Sequence, residues 1–210
     1  MPEFDETIAD TLGQIRAANL YRSLQTLDTP QEPCIRVGNR ELLGFSSNDY
    51  LGLANHPAIL DAGREALGQF GAGAGASRLI CGTLRPHVEL EDALAEFKGT
   101  EASLTFATGY GAATGTIASV VGKGDVVIID KLIHASLIDA AKLSGAHLRV
   151  FPHNDLEALE SRLQWAGRKH PSARKLVVTE SVFSMDGDLA PLTDIVELKD
   201  RHGAWLMVDE

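Results

Sequence analysis

The chain has 210 residues, of which 44% are hydrophobic and 23% charged, and its formal net charge is -10. This composition is typical of a folded globular protein, and the negative charge argues against nucleic acid or an anionic membrane as a partner. The only two cysteines, Cys34 and Cys81, form neither a disulfide framework nor a CxxC metal site, and the acidic first residues do not resemble a signal peptide. We therefore expect a cytoplasmic protein without a membrane span.

The first 45 residues predict an arm that precedes the main domain. Apolar residues at helical spacing predict an amphipathic helix from Glu6 to about Leu27. The turn pair Gly38-Asn39, which lies between two short apolar runs, predicts a small hairpin. We accordingly divide the chain into a helix and hairpin arm over residues 1–45 and a partial large domain over residues 46–210.

The main domain shows a regular alternation of helical and strand patterns. In chain order these are a helix after Pro57, a loop over 71–75, a helix over 87–98, a strand over 102–106, a helix from Tyr110, a strand over 126–129, a helix from Ala135, a strand over 148–151, a helix from Asp155, a strand over 175–179, a helix from Leu192 and a strand over 205–208. Alternation with continuously apolar strands predicts an α/β fold, a mostly parallel sheet with helices on both faces.

The last predicted strand runs directly into Asp209-Glu210, with no following helix or cap. Because a natural domain rarely stops on an inner strand, we expect the chain to be an N-terminal fragment whose large domain continues beyond residue 210.

Polar and glycine residues follow four predicted strands, at the edge where open parallel sheets bind ligands. Gly109 and Tyr110 open a helix whose free amides can bind phosphate, and His134 starts the next helix. Ser184 and Glu180 belong to a polar segment that leaves another strand, where both can face a ligand, and Asp209 ends the last strand. Each has an ordinary alternative as a turn or cap residue. Together they fit pyridoxal phosphate (PLP), which has an anionic phosphate, a planar ring and a protonated ring nitrogen.

Several segments together resemble the α-oxoamine synthase family of PLP enzymes, over almost the whole chain. They are LGFSSNDYLGL at 43–53, GTE at 99–101, the Gly109-Tyr110 turn, HASL at 134–137, FPHND at 151–155, VFSMDGD at 182–188 and WLMVD at 205–209. The resemblance implies a fold-type I PLP-dependent transferase. It implies that Gly109 and Tyr110 lie beside the cofactor, that His134 stacks on its ring, that Ser184 approaches its hydroxyl side and that Asp209 pairs with its ring nitrogen.

The resemblance also implies how substrates bind. Arg22 and Asn48 match residues that contact the substrate, as does His134, and His134 and Asp209 are the implied catalytic residues. The family is dimeric, with active sites at the subunit interface, and the loop from Gly71 to Ser77 is similar to the segment that reaches the neighbouring subunit's site. A homodimer that binds small molecules is therefore expected, with no metal.

The implied reaction is the decarboxylative condensation of an amino acid with an acyl-CoA. The closest resemblance is to the member that joins L-alanine to pimeloyl-CoA, or to a pimeloyl-carrier protein, in biotin biosynthesis. The segment RLICGT at 78–83 looks more like a sister enzyme that joins glycine to acetyl-CoA. The lysine that bonds the cofactor in this family falls beyond Glu210, so the fragment is expected to be inactive, and a non-catalytic cofactor-binding or dimerising piece is the alternative.

Two other enzyme classes fit the sequence less well. Gly71, Gly73 and Ala76 satisfy a loosened dinucleotide-binding pattern, but they follow a predicted helix instead of a first strand. The seven histidines include no HxxxH or HExxH pair that would place two metal ligands on one helical face.

Overall fold

The computed structural model describes residues 3–210. The chain separates into two compact units, of which the first ends at Arg85 and the second spans Pro86–Glu210. The division predicted at residue 45 stays a prediction. Among the described residues, none of the helices combines the length and the apolar character that crossing a bilayer requires.

The first helix, α1 (Phe4–Ala17), is shorter than the sequence predicts. Apolar spacing continues to Leu27, but Asn19 adopts a left-handed conformation with φ of 57°. The amide of Leu20 bonds back to the carbonyl of Ile15 at 3.0 Å, as in the Schellman pattern of helix ends. The predicted extension of this helix is therefore wrong, because apolar spacing alone does not reveal a left-handed stop.

The rest of the first unit follows the prediction closely. Strands β1 (Cys34–Val37) and β2 (Arg40–Leu43) pair antiparallel around Gly38, which has φ of 58°. Helix α2 (Pro57–Phe70) starts with its proline at the first turn, where a missing amide costs nothing. The glycine-rich residues 71–75 form the predicted loop.

A single π-helical turn over Arg78–Gly82 closes the first unit. Thr83 secures it, since its hydroxyl donates to the Arg78 carbonyl at 2.7 Å. Gly82 is buried, and a Cβ atom at this position would lie 1.9 Å from the carbonyl oxygen of Ala76. Only glycine therefore allows the chain to approach itself this closely.

The second unit contains a four-stranded parallel sheet. Its elements are α3 (Arg85–Lys98), which begins one residue before the unit, α4 (Gly109–Val120), β3 (Val126–Asp130), α5 (Ala135–Leu143), β4 (His147–Phe151), α6 (Leu156–Lys169), β5 (Lys175–Glu180), α7 (Leu192–Arg201) and β6 (Trp205–Asp209). The strand order is β4-β3-β5-β6, and every neighbouring pair is parallel. The predicted parallel α/β architecture is confirmed.

Helices cover both faces of this sheet, as predicted. All five residues of β3 are buried, and alternate side chains of a strand point to opposite faces. The core on the α4 and α5 face includes Ile117, Val127, Ile129 and Leu137, and the core on the α6 and α7 face includes Ile128, Leu163, Val177 and Ile195. The central strands thus read as continuous apolar runs because neither face meets water.

The predicted strand over 102–106 is wrong, since no residue of this segment joins either sheet. The segment is held to α3 instead. The Glu91 carboxylate accepts both the amide and the hydroxyl of Thr105 at 2.9 Å, and the Ser103 hydroxyl donates to the Glu91 carbonyl at 2.7 Å. The apolar pattern of the segment is typical of a strand, but the Thr105 amide donates to the Glu91 side chain and not to a neighbouring strand.

Candidate active site

The carboxyl ends of β3, β5 and β6 meet at one edge of the sheet. After β3 the chain crosses to β4 on one side, and it then returns to place β5 on the other side of β3. Such a reversal of strand order opens a crevice at the carboxyl ends, which is where open α/β sheets bind ligands. Of the residues that the sequence singles out, His134 follows β3, Ser184 follows β5 and Asp209 ends β6, so these three lie at this edge.

Helix α4 begins at this edge with a well-formed cap. The Thr108 hydroxyl accepts the amide of Gly111 at 2.9 Å. The first amides of a helix have no intrahelical acceptor, so those of Gly109 and Tyr110 are available to an anion, with the positive end of the helix dipole behind them. A Cβ added to Gly109 would meet nothing within 4 Å, so the backbone here faces open space.

His134 caps the N-terminus of α5. Its Nδ1 lies 2.7 Å from the Ser136 hydroxyl and accepts the Ser136 amide at 3.2 Å. An amide N–H can only donate, so Nδ1 carries a lone pair in this arrangement and the ring proton belongs to Nε2. The ring is therefore fixed both in orientation and in tautomer by its own helix.

Ser184 is exposed in the loop that follows β5, and its backbone amide donates a hydrogen bond to a buried side chain. The Glu180 carboxylate accepts this amide at 3.3 Å through Oε2. The other carboxylate oxygen of Glu180 accepts the backbone amide of His134. The loops that carry His134 and Ser184 are thus joined by one buried side chain.

Four of the predicted site residues line a single cavity of about 650 Å³, here called the rim cavity. They are Gly109, Tyr110, His134 and Asp209, and other lining residues include Thr116, Asp139 and Met207. Asp209 is exposed at the end of β6. Among the described residues, no hydrogen bond or ion pair engages its carboxylate, although its carbonyl accepts the Ser181 amide at 2.8 Å. A free carboxylate thus lies in the same cavity as the start of α4.

A second, partly buried network contacts the far end of the loop that carries Ser184. Asp130, which is fully buried, lies 3.0 Å from Nδ1 of His153, and Nε2 of His153 lies 2.7 Å from Asp188. Burial alone would lower the pKa of His153, but its hydrogen bonds and proximity to the two carboxylates outweigh this and raise the pKa above 6.5. The ring also meets Phe183 edge-on, with ring centroids 4.3 Å apart.

Sequence reasoning gave this network no role, because Asp130 and Asp188 are far apart in the chain and become neighbours only through the parallel sheet. It also missed the cap at Thr108. That cap had a local signal, since a threonine directly before a helical glycine run is a favoured N-cap.

Arg22 and Asn48 belong to the first unit and are both exposed. The Tyr50 hydroxyl lies 3.5 Å from the side-chain oxygen of Asn48. Their roles in substrate binding stay predictions, as does the role of Ser184, which does not line the rim cavity. Within residues 3–210 no cluster of three or more metal-ligating side chains is present.

The family model for aminotransferase class I and II matches residues 40–210. The chain belongs to the aminotransferase class I and II family. This membership agrees with the resemblance to PLP-dependent enzymes that the sequence segments indicated.

Named relatives place the chain more closely within the aminotransferase class I and II family. It is 51% identical to the 8-amino-7-oxononanoate synthase of Herminiimonas arsenicoxydans, over 98% of this chain and 52% of the relative. It resembles the S. paucimobilis serine palmitoyltransferase solved with a bound PLP-myriocin aldimine, with a TM-score of 0.87 and 36% identity over 99% of this chain and 52% of that one. The Francisella tularensis 8-amino-7-oxononanoate synthase gives a TM-score of 0.64 and 26% identity over 79% of this chain and 44% of that one.

The chain thus spans about half the length of the curated relatives it matches. The names of these relatives confirm the predicted resemblance, and the structural neighbours confirm the predicted fold type I.

Proposed function

We propose that this chain binds PLP in the rim cavity and that the protein carrying it condenses L-alanine with pimeloyl-CoA, or with a pimeloyl-carrier protein, in biotin biosynthesis. The products are 8-amino-7-oxononanoate, CO2 and the thiol of the acyl donor, which is CoA when the donor is pimeloyl-CoA and the free carrier protein otherwise. The observation that carries the proposal is the convergence of Gly109, Tyr110, His134 and Asp209 on one cavity. They come from the start of α4, the end of β3 and the end of β6, and the sequence predicted them to meet separate parts of one cofactor.

The donors and acceptors of the cavity fit this cofactor. The free amides at the start of α4 suit a phosphate, and glycine at position 109 lets it approach the backbone. The Asp209 carboxylate, which has no partner within residues 3–210, suits a protonated ring nitrogen. When bound, PLP would supply an electron sink for the α-carbon of the amino acid.

Each residue has a distinct task in this proposal. Asp209 keeps a proton on the ring nitrogen by charge-assisted hydrogen bonding. His134 covers the ring with an imidazole that Ser136 already orients, and Nε2 is the ring atom that can exchange a proton. Ser184 approaches the hydroxyl side of the cofactor, and Arg22 and Asn48 contact the substrate.

The choice of substrates rests on the relatives. The curated relative at 51% identity is named 8-amino-7-oxononanoate synthase, whereas the serine palmitoyltransferase neighbour is 36% identical. The segment over 78–83 keeps glycine and acetyl-CoA as the second candidate pair. A homodimer in the cytoplasm remains part of the proposal, by resemblance to the α-oxoamine synthases.

Cofactor binding is tested first, with Asp209→Asn in the 210-residue chain. A hydrogen bond to a charged group contributes about 1.5 to 3 kcal/mol, so the Kd for PLP from equilibrium dialysis should rise about 10- to 150-fold. Asp139→Asn is the matched control, because Asp139 lines the same cavity and the charge change is the same. It should leave Kd within about threefold. Equal effects of the two variants would contradict the role of Asp209.

The reaction is tested with protein made from the complete coding sequence. Release of CoA is measured with alanine or glycine, each combined with pimeloyl-CoA or acetyl-CoA. The proposal expects the highest kcat/KM for alanine with pimeloyl-CoA. A higher value for glycine with acetyl-CoA would move the assignment to the sister enzyme, and no CoA release with any pair would contradict the reaction class.

A further inference from the structure

Glu180 is a buried carboxylate that the proposed reaction does not use. Its residue is only 4% exposed, it ends β5, and it is not among the residues that line the rim cavity. Oε1 accepts the amide of His134 and Oε2 accepts the amide of Ser184 at 3.3 Å. Both residues are predicted to touch the cofactor, and both are held through their backbone by the same side chain.

Glu180 ends one of the two strands whose following loops carry His134 and Ser184. His134 follows β3 and Ser184 follows β5, and these are the two strands between which the strand order reverses. The loops after β3 and β5 run in opposite directions. The hydrogen bonds between the two strands therefore do not fix the distance between these loops. Glu180 joins them directly across the crevice.

A carboxylate meets the two amides with a separate oxygen for each. Glutamine in the same pose would keep one of these oxygens and turn its NH2 group, which is a donor, towards the other amide. The buried charge of Glu180 is offset by these two donors and by the N-terminus of α5, whose first residue follows His134.

We propose that Glu180 is a positioning residue that sets the distance between His134 and Ser184 and thereby shapes the cofactor site. This inference rests on the proposed function, because it concerns how two of the proposed cofactor contacts are held. Glu180 touches neither cofactor nor substrate in this assignment.

The chain contains a matched control for a purely structural role. Asp125 is 8% exposed, and its carboxylate accepts the amides of Gly122 and Arg174, both at 3.0 Å. It precedes β3, so it braces the amino-terminal edge of the same sheet. Asp125→Asn therefore removes a buried carboxylate, which also pairs with Arg174 at 2.6 Å, at the edge opposite the rim cavity.

The test compares Glu180→Gln with Asp125→Asn in the 210-residue chain. Amide hydrogen exchange measured by NMR should become at least about tenfold faster at His134 and Ser184 in Glu180→Gln, while the amides inside β5 keep their protection. Asp125→Asn should leave both amides unchanged. The Kd for PLP should rise about tenfold in Glu180→Gln, which is the lower end of the effect of supporting hydrogen bonds around metal ligands. It should stay within about twofold in Asp125→Asn.

The two readouts separate the inference from the function on which it rests. If the unchanged chain does not bind PLP, the proposed function is wrong, and amide exchange still decides whether Glu180 holds the two loops. Unchanged exchange at His134 and Ser184 in Glu180→Gln overturns the inference. So does faster exchange with an unchanged Kd for PLP, or an equal rise in Kd in both variants. Should Glu180→Gln fail to fold, Glu180→Asp keeps the charge on a shorter side chain and is expected to release at least one of the two amides.

Discussion

Replacing His153 with glutamine should destabilise the second unit, and the loss should depend on pH. In the protonated state both ring nitrogens of His153 donate, one to Asp130 and one to Asp188. Glutamine can offer its NH2 group to only one of the two carboxylates. The variant thus loses one charge-assisted hydrogen bond at low pH.

The magnitude follows from the surroundings of the two carboxylates. A hydrogen bond to a charged group contributes about 1.5 to 3 kcal/mol. The side chain of Asp188 is 44% exposed, whereas that of Asp130 is 1% exposed, so glutamine is expected to keep the buried partner. The interaction with Asp188 is the one that is lost, and water screens it. We therefore expect a loss of about 1 to 2 kcal/mol in the free energy of unfolding.

The direction with pH follows from the raised pKa of His153. A group whose pKa is raised by folding stabilises the native state fully below its unfolded pKa, and this contribution is lost as the pH rises through the native pKa. The neutral imidazole has a single N–H and, like glutamine, serves one carboxylate. The difference between wild type and His153→Gln should therefore be largest below the ordinary histidine pKa of about 6.5 and should shrink as the pH rises through the raised pKa of His153.

Urea unfolding followed by tryptophan fluorescence measures this difference, because both tryptophans, Trp165 and Trp205, lie in the second unit. His170→Gln is the control. Burial and the nearby His147 and Arg149 lower the pKa of His170, so protonation of this residue opposes folding, and removing it should help at low pH. A loss in His153→Gln that is constant, or that grows with pH, would refute the assignment of the charged bridge.

Three further substitutions test the packing and the site. Gly109→Ala should fold normally, since its Cβ meets open space, but should raise the Kd for PLP about tenfold, about 1.4 kcal/mol, in equilibrium dialysis. Gly82→Ala forces a Cβ against the Ala76 carbonyl, so limited proteolysis should cleave the first unit faster while the tryptophan unfolding curve stays in place. Ile128→Ala removes fully buried apolar volume from β3 and should cost about 2 to 5 kcal/mol in urea unfolding; a loss below about 1 kcal/mol would contradict its place in the core.

Much of the second unit could be predicted because its strands are buried on both faces. The run Val126–Ile129 is apolar at every position, as is typical of a strand that is buried on both faces. The rule that ligands bind at the carboxyl ends of parallel strands then selected Gly109, His134 and Asp209, which the structure brings into one cavity.

The features that sequence reasoning missed depend on non-local contacts or on a single backbone angle. Asn19 ends α1 by taking a positive φ that its residue type permits but does not require. The segment over 102–106 has a strand composition, yet no partner strand takes its amides. His153 lies between two carboxylates that only the sheet topology brings together.

The strand order β4-β3-β5-β6 also sets how the second unit can fold. Every strand pair of this sheet is parallel, so a helical crossover must connect two strands before they can pair. Strand β3 pairs with β4 on one side and with β5 on the other. The entropic cost of closing a loop grows with the length of the loop. In the β3–β4 pair Val126 lies opposite His147, whereas in the β3–β5 pair it lies opposite Lys175. The shorter loop favours pairing of β3 with β4 before β5. Contacts so distant in sequence slow the search for the native topology, and the bridge from Glu180 to His134 can form only after that second pairing. We therefore expect the crevice to be assembled after β3 has paired with β4.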